Sequence, residues 1–216
     1  MKPSIVPLGD SAALIQLGET IHPSVNQRVR ALAKRIEASA VNGLIEAVPA
    51  YTTVLVQYDP LMLSFAQIKN ILQEKIDQPD EPASHKPRLL EIPVRYGGDY
   101  GIDLETVARH LHLSVADIIR IHSAKIYTVY MMGFTPGYPY MGELDNALVM
   151  PRLETPRARV AAGTVAIAGS QTGIYSVESP GGWRLIGWTP LTIFDAKSES
   201  PFLFSPGDKV KFFEER

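Results

Sequence analysis

The chain has 216 residues, 45% apolar and 20% charged, with a formal net charge of −2 and no cysteine. That length allows one large domain or two small ones, and the apolar share is enough to bury a core. The charge balance excludes a broad basic field for nucleic acid or anionic membrane, and the missing cysteines exclude disulfides, thiolate metal sites and thiol nucleophiles. The first 20 residues carry Asp10 and Glu19 and no unbroken apolar run, so no export signal is read and a cytoplasmic location is expected. The apolar-rich stretch 126–141 is broken by Gly133, Pro136, Gly137 and Pro139 and is too short to span a bilayer.

Ile5 to Leu8 and Ala12 to Leu17 read as two short strands around a Gly9-Asp10 turn. Val25, Val29, Leu32 and Ile36 then recur at helical spacing, with Ser24 and Gln27 placed for a capping box. Leu44 to Val48 and Thr53 to Tyr58 are strand candidates. A second helix carries Phe65, Ile68, Ile71, Leu72 and Ile76 on one face and repeats the capping signal at Ser64 and Gln67. The order ββαββα predicts a small α+β domain over residues 1–77, an antiparallel sheet covered by two helices. Residues 78–88 hold Pro79, Pro82 and Pro87 among polar neighbours and read as a semi-stiff linker.

Only 3 of the 16 glycines lie in residues 1–88, and the other 13 follow. Leu89 to Tyr96 is a strand candidate, followed by two short helices capped by Asp103 and by Ser114 with Asp117. Strand candidates then come quickly: Val160 to Ala168, Ile174 to Val177, Arg184 to Gly187, Leu191 to Phe194 and Lys209 to Phe213. Turn signals separate them at Pro136-Gly137, Gly173, Pro180-Gly181-Gly182 and Pro206-Gly207. Closely spaced strands of this kind predict a mainly β domain over 89–216, closed or nearly closed into a barrel.

No phosphate loop GxxxxGKS/T, no GxGxxG, no HExxH and no GxSxG nucleophile elbow occurs. Gly169-Ser170-Gln171-Thr172-Gly173 has the outer glycines of that elbow but glutamine at its centre. His110 and His112 are two apart, a spacing that does not place a metal pair on one helix face. No metal site and no tightly bound cofactor are expected, and an autonomous enzyme is hard to defend from standard motifs. The catalytic residue itself is not identifiable.

Three segments nevertheless look like a site, though each also admits a purely structural reading. In 133–142, Pro136-Gly137 suits a type II turn, and Phe134, Tyr138 and Tyr140 flank it as pocket walls with hydroxyls to orient a polar ligand. In 156–173, Gln171 offers a donor and an acceptor, and Arg157 or Arg159 can grip a carboxylate or phosphate. In 179–189, Gly181 and Gly182 can turn successive N–H groups toward an anion. His122, ahead of the Tyr127 strand, is a further candidate hydrogen-bond donor or proton carrier.

Gly-Phe-Thr-Pro-Gly-Tyr-Pro-Tyr-Met-Gly at 133–142, Ala-Gly-Ser-Gln-Thr-Gly-Ile-Tyr at 168–175 and Ser-Pro-Gly-Gly-Trp-Arg-Leu-Ile-Gly at 179–187 stand in this order. With them the chain resembles the KipI / 5-oxoprolinase B-subunit family, also called allophanate hydrolase subunit 1. The resemblance implies a small N-terminal α+β domain and a C-terminal cyclophilin-like β-barrel. It implies a homologous C-type barrel partner and an A-type amidohydrolase-like partner. Together these use ATP to open 5-oxoproline, a small amide, to glutamate. Related barrel pairs form the carboxyltransferase part of urea carboxylases, and one branch of the family inhibits a histidine kinase. The candidate substrate-binding set, from the residues and the motifs together, is Tyr138, Tyr140, Arg157, Gln171, Thr172, Tyr175, Gly181, Gly182 and His122. Ala161 and Ser176 stand where the family often has proline, and Ile126 stands where it often has an acid before Tyr127, so no carboxylate role transfers to that position. The carboxylate of 5-oxoproline suits an arginine fork and its lactam matches Gln171. Activating an unstrained amide with ATP needs cations and N–H groups that one such chain offers only in part, so the site is expected to be completed by the partner.

Overall fold

The computed structural model describes residues 2–79 and 87–215. The chain divides into two compact units, Met1–Lys86 and Pro87–Arg216. Most of the expected 78–88 linker, residues 80–86, lies outside the described residues.

In the first unit β1 (Ser4–Pro7), β2 (Ala12–Gln16), β3 (Leu44–Pro49) and β4 (Thr53–Tyr58) form an antiparallel sheet in the order β1-β2-β4-β3. Helices α1 (Pro23–Glu37) and α2 (Phe65–Asp77) pack on it through Val29, Leu32, Ile36, Ile68 and Leu72. Asn26 is buried within α1 but satisfied: its amide donates to the carbonyls of Ala50 and Tyr51 and accepts from Arg30. The Ser64–Gln67 capping box forms, with Gln67 Oε1 accepting from Ser64 N–H at 2.9 Å. The expected box at Ser24 does not form. Pro23, with its φ preset for the first helical position, starts α1 two residues earlier, and His22 becomes the cap through Nδ1 and the Ser24 N–H.

The second unit is mostly β. Its strands are β5 (Leu89–Tyr96), β6 (Ile126–Met132), β7 (Pro139–Gly142), β8 (Arg157–Val160), β9 (Thr164–Ala168), β10 (Gln171–Ile174), β11 (Ser179–Gly181), β12 (Arg184–Trp188) and β13 (Lys209–Glu214). Helices α3 (Leu104–Leu111) and α4 (Val115–Ala124) follow β5. Seven strands close a barrel in the order β10-β7-β6-β13-β5-β12-β9, and β8 pairs with β11 as a separate ribbon. The β5–β13 pair is parallel and the others are antiparallel. Ile92, Val94, Val129, Met141, Val165, Ile167, Ile186, Val210 and Phe212 fill the barrel.

Several expected elements are corrected. Val160 to Ala168 is not one strand: Gly163 takes φ +82° and its N–H donates to Tyr175 O, so the chain turns between β8 and β9. Ile174 to Val177 gives way to β10, which starts at Gln171, because that register pairs Gln171 with Ala168 across a tight turn. Leu191 to Phe194 is not a strand. Only Phe194 pairs, with Phe202, because the chain doubles back at once and Asp195 N–H donates to Pro201 O. Ser114 caps α4 as expected, accepting from Asp117 N–H at 3.0 Å. Asp103 sits at the start of α3 but makes no capping bond there, since both its oxygens are engaged elsewhere.

Candidate functional site

β9 is buried along its whole length, and its alternation explains why. Val165 and Ile167 point into the barrel core, whereas Ala166 and Ala168 point to a second cluster outside it. That cluster is aromatic: Tyr138, Tyr175 and Trp183, with Val160, Leu185 and the half-buried Tyr140 against it. Tyr138 meets Tyr175 edge-on at 5.3 Å and Trp183 at 5.8 Å between centroids, and Tyr140 at 4.8 Å.

The motifs place these rings. Gly137 takes φ +78° and Tyr138 N–H donates to Thr135 O at 3.1 Å, the geometry expected for a Pro-Gly type II turn. Ser176, buried, donates to Pro136 O at 2.6 Å and bonds the Thr135 hydroxyl, which fixes this loop to the strand region after β10. Within the loop Phe134 is held at φ +66°, a left-handed conformation rare for a bulky side chain, and presents its ring outward at the cluster's edge. A Cβ at Gly173 would lie 2.6 Å from Tyr138 Oη, so the missing side chain there is what admits the Tyr138 hydroxyl. Gly181 does the same for Tyr175, whose hydroxyl occupies the space a side chain would need. Burial pushes the Tyr175 and Tyr140 hydroxyls above their ordinary acidity range, so both stay protonated as hydrogen-bonding groups.

Gln171 pairs with Ala168, and Gly173 with both Ala166 and Tyr140. Opposed residues share a face, so Gln171 lies on the aromatic side of β10, half-buried. Its side chain makes no hydrogen bond to another described residue. Tyr138, Tyr140, Gln171, Tyr175 and the Gly181–Gly182 bend therefore share one face.

Thr172 and His122 do not share it. His122 lies within the last turn of α4, fully buried, and Thr172 points inward from β10. His122 Nε2 is 3.0 Å from Thr172 Oγ1, and Nδ1 is 2.7 Å from Tyr96 Oη. Thr172 donates its own proton to Ala166 O at 3.1 Å, so it must accept from His122. The imidazole thus carries its proton on Nε2 and accepts the Tyr96 hydroxyl proton on Nδ1. Desolvation pulls its pKa down to about 3, so it is neutral. Burial likewise drives the Tyr96 hydroxyl well above its ordinary value. Tyr127, next to Ile126, also turns inward and donates to His122 O.

Arg157 is at the edge of the cluster, but its guanidinium is paired with Asp103 at 2.6 Å and reaches Trp183 O. Arg159 pairs with Glu178 on the surface. Neither Gly181 nor Gly182 is left-handed, so the expected anion-cradling pair of N–H groups does not form there: Gly181 is paired in the β8–β11 ribbon and Gly182 O accepts from Leu153 N–H. A nucleotide phosphate does not fit this bend, and Arg157 and Arg159 beside it already hold carboxylates. Among the described residues no three His, Asp or Glu side chains are grouped to hold a metal ion, and no helix is long and apolar enough to cross a membrane.

Residues 3–204 match the family described as carboxyltransferase domain, subdomain C and D. The chain belongs to this family. Within it, the chain is 43% identical to the 5-oxoprolinase B-subunit of Bacillus subtilis, over 96% of this chain and 91% of that protein. It is 38% identical to the 5-oxoprolinase B-subunit of Haemophilus influenzae over 98% of both. Among solved structures, TTHA0988 superposes on 95% of this chain with a TM-score of 0.82 at 41% identity, the match spanning 40% of that longer chain. The urea amidolyase of Kluyveromyces lactis, at 20% identity, shares the fold with a TM-score of 0.83 over 99% of this chain and 15% of its own. The motif resemblance and the full-length likeness to proteins called 5-oxoprolinase B-subunits agree.

Proposed function

We propose that this chain is the B-subunit of an ATP-dependent 5-oxoprolinase-type complex that opens 5-oxoproline to glutamate only with its partner subunits. The observation carrying this is the meeting of the three family motifs on one face, in a chain alike over nearly its whole length to proteins of that name. The partners in this reading are a homologous C-type barrel protein and an A-type amidohydrolase-like protein, in the cytoplasm. The domain organisation that goes with it is an α+β domain over 1–77, a linker over 78–88 and a cyclophilin-like barrel over 89–216.

The roles follow from the chemistry of each position. Gln171 faces the lactam, whose N–H and C=O match its acceptor and donor. Tyr140 and Trp183 wall the substrate, with Tyr138, Tyr175, Gly181 and Gly182 holding the wall in shape. Arg157 fixes the β8–β11 ribbon through Asp103. His122 and Thr172 brace β10 from inside the barrel. Nothing in this set cradles a nucleotide, which is why ATP is assigned to the assembled complex. The test is ATP-dependent loss of 5-oxoproline by the chain alone and mixed with the two partner subunits. Turnover by the mixture only is expected. Turnover by the chain alone ends the shared-site reading, and none in the mixture ends the reading altogether.

A further inference from the structure

The second unit has eight described arginines: Arg88, Arg95, Arg109, Arg120, Arg152, Arg157, Arg159 and Arg184. Seven bind a protein acceptor. Arg88, Arg95, Arg120, Arg157 and Arg159 each hold a carboxylate, Arg109 holds Thr106 Oγ1 and Arg184 holds Pro151 O. Arg152 alone, among the described residues, has neither an ion pair nor a hydrogen bond. Its guanidinium instead stands over the Trp183 ring, 5.8 Å from the centroid.

Its place in the chain is fixed from both sides. Met150 pairs with Gly169 at the turn that carries Gln171, and Leu153 N–H donates to Gly182 O at 2.8 Å. Segment 150–153 therefore bridges the β9–β10 turn and the Gly181–Gly182 bend, with Arg152 between the two anchors. Its charge reaches into the aromatic cluster, since it favours the ionised forms of both Tyr140 and Tyr175. A guanidinium stacked on an aromatic face keeps its edge N–H groups free for a planar anion.

We infer that Arg152, held over Trp183 at the rim of the aromatic cluster, is the anion-binding residue of this site and takes the carboxylate of a small cyclic amide whose ring amide meets Gln171. This rests on the proposed 5-oxoprolinase reading, and it moves the carboxylate grip from Arg157, which Asp103 already occupies, to the one described arginine of this unit that holds no other described residue by an ion pair or hydrogen bond.

The experiment compares the wild-type chain, Arg152→Gln and Arg152→Lys in the reconstituted three-subunit complex. Substrates are 5-oxoproline and 2-pyrrolidinone, the same lactam without its carboxylate. Arg152→Gln is expected to raise KM for 5-oxoproline about 10–100-fold with kcat little changed, as loss of a charge-assisted bond formed equally in ground and transition states requires. Turnover of 2-pyrrolidinone should be equally poor in both, and Arg152→Lys should recover part of the loss. An unchanged KM, or an equal loss on both substrates, overturns the inference while leaving the proposed function standing. If the wild-type complex opens no 5-oxoproline, the function falls and the inference is read from binding alone. A saturable change in tryptophan emission of the intact chain with 5-oxoproline, absent with 2-pyrrolidinone and absent in Arg152→Gln, then sustains it. No such difference overturns it.

Discussion

Asp103 and Arg157, 54 positions apart, form an ion pair with Nη2 2.6 Å from Oδ1, while Asp103 Oδ2 accepts from Leu185 N–H at 2.8 Å. One nearly buried carboxylate thereby ties the start of α3, the β8–β11 ribbon and β12 together. Asp103→Ala leaves a buried N–H without an acceptor and an arginine, only 25% exposed, without its counter-ion. It is expected to destabilise the barrel by about 2–4 kcal/mol, with Asp103→Asn milder because an oxygen remains. Urea unfolding followed by tryptophan emission reads this, since Trp183 and Trp188 both lie in the second unit. An Asp103→Ala midpoint equal to wild type would show that the pair contributes nothing.

Gly181→Ala places a methyl group where the Tyr175 ring and hydroxyl already sit. The expected loss is about 1–3 kcal/mol, the usual effect of overpacking a well-filled site. Tyr175→Phe in the same chain should return part of it, because only the hydroxyl is removed while ring carbons remain close. The double-mutant cycle measures that coupling, and strictly additive losses count against the packing assigned to this pair.

The elements were legible in the sequence where a local rule decided them. The ββαββα order, the Ser64–Gln67 box, the Leu89–Tyr96 strand and the Pro136-Gly137 turn all follow from patterns within a few residues. Asp103 shows where local rules stop: its spacing fits a cap, but Arg157 and Leu185, distant in sequence, claim both oxygens. His122 is similar, since nothing near it announces Tyr96 and Thr172 as its partners, 26 and 50 positions away. For the site, the glycine-flanked Gln171 and the tyrosines were visible as motif residues. Arg152 was not, because Met150-Pro151-Arg152-Leu153 carries no pattern, and its significance lies in every neighbouring arginine having a partner.

The buried imidazole gives a pH dependence whose sign is fixed. In the unfolded chain a histidine takes up its proton near its ordinary pKa of 6.5, whereas folded His122 does so only near about 3. Between these values the unfolded state binds more protons, so this contribution is complete above about pH 6.5 and is lost as pH falls toward 3. The slope reaches about 1.4 kcal/mol per pH unit. His122→Gln removes that slope while losing the neutral network, so its stability deficit should be largest near neutrality and shrink in acid. Parallel stability curves for the two proteins would place His122 in solvent contact. Nitrogen-15 spectra of the ring should also show the proton on Nε2 and no titration through the usual histidine range.

Gln171 separates a substrate contact from a structural one. Its amide holds no other described residue, so Gln171→Ala should leave the unfolding free energy within about 0.5 kcal/mol of wild type. In the reconstituted complex the same change should lower kcat/KM for 5-oxoproline about 10-fold or more, since a lactam loses both a donor and an acceptor at once. Gln171→Glu keeps the size but removes the N–H donor and adds a negative charge beside an anionic substrate. It should therefore fall below Gln171→Ala, an order that loss of packing alone reverses. Equal and near-normal turnover in both variants would remove Gln171 from the reaction and leave the aromatic face without its amide-recognising group.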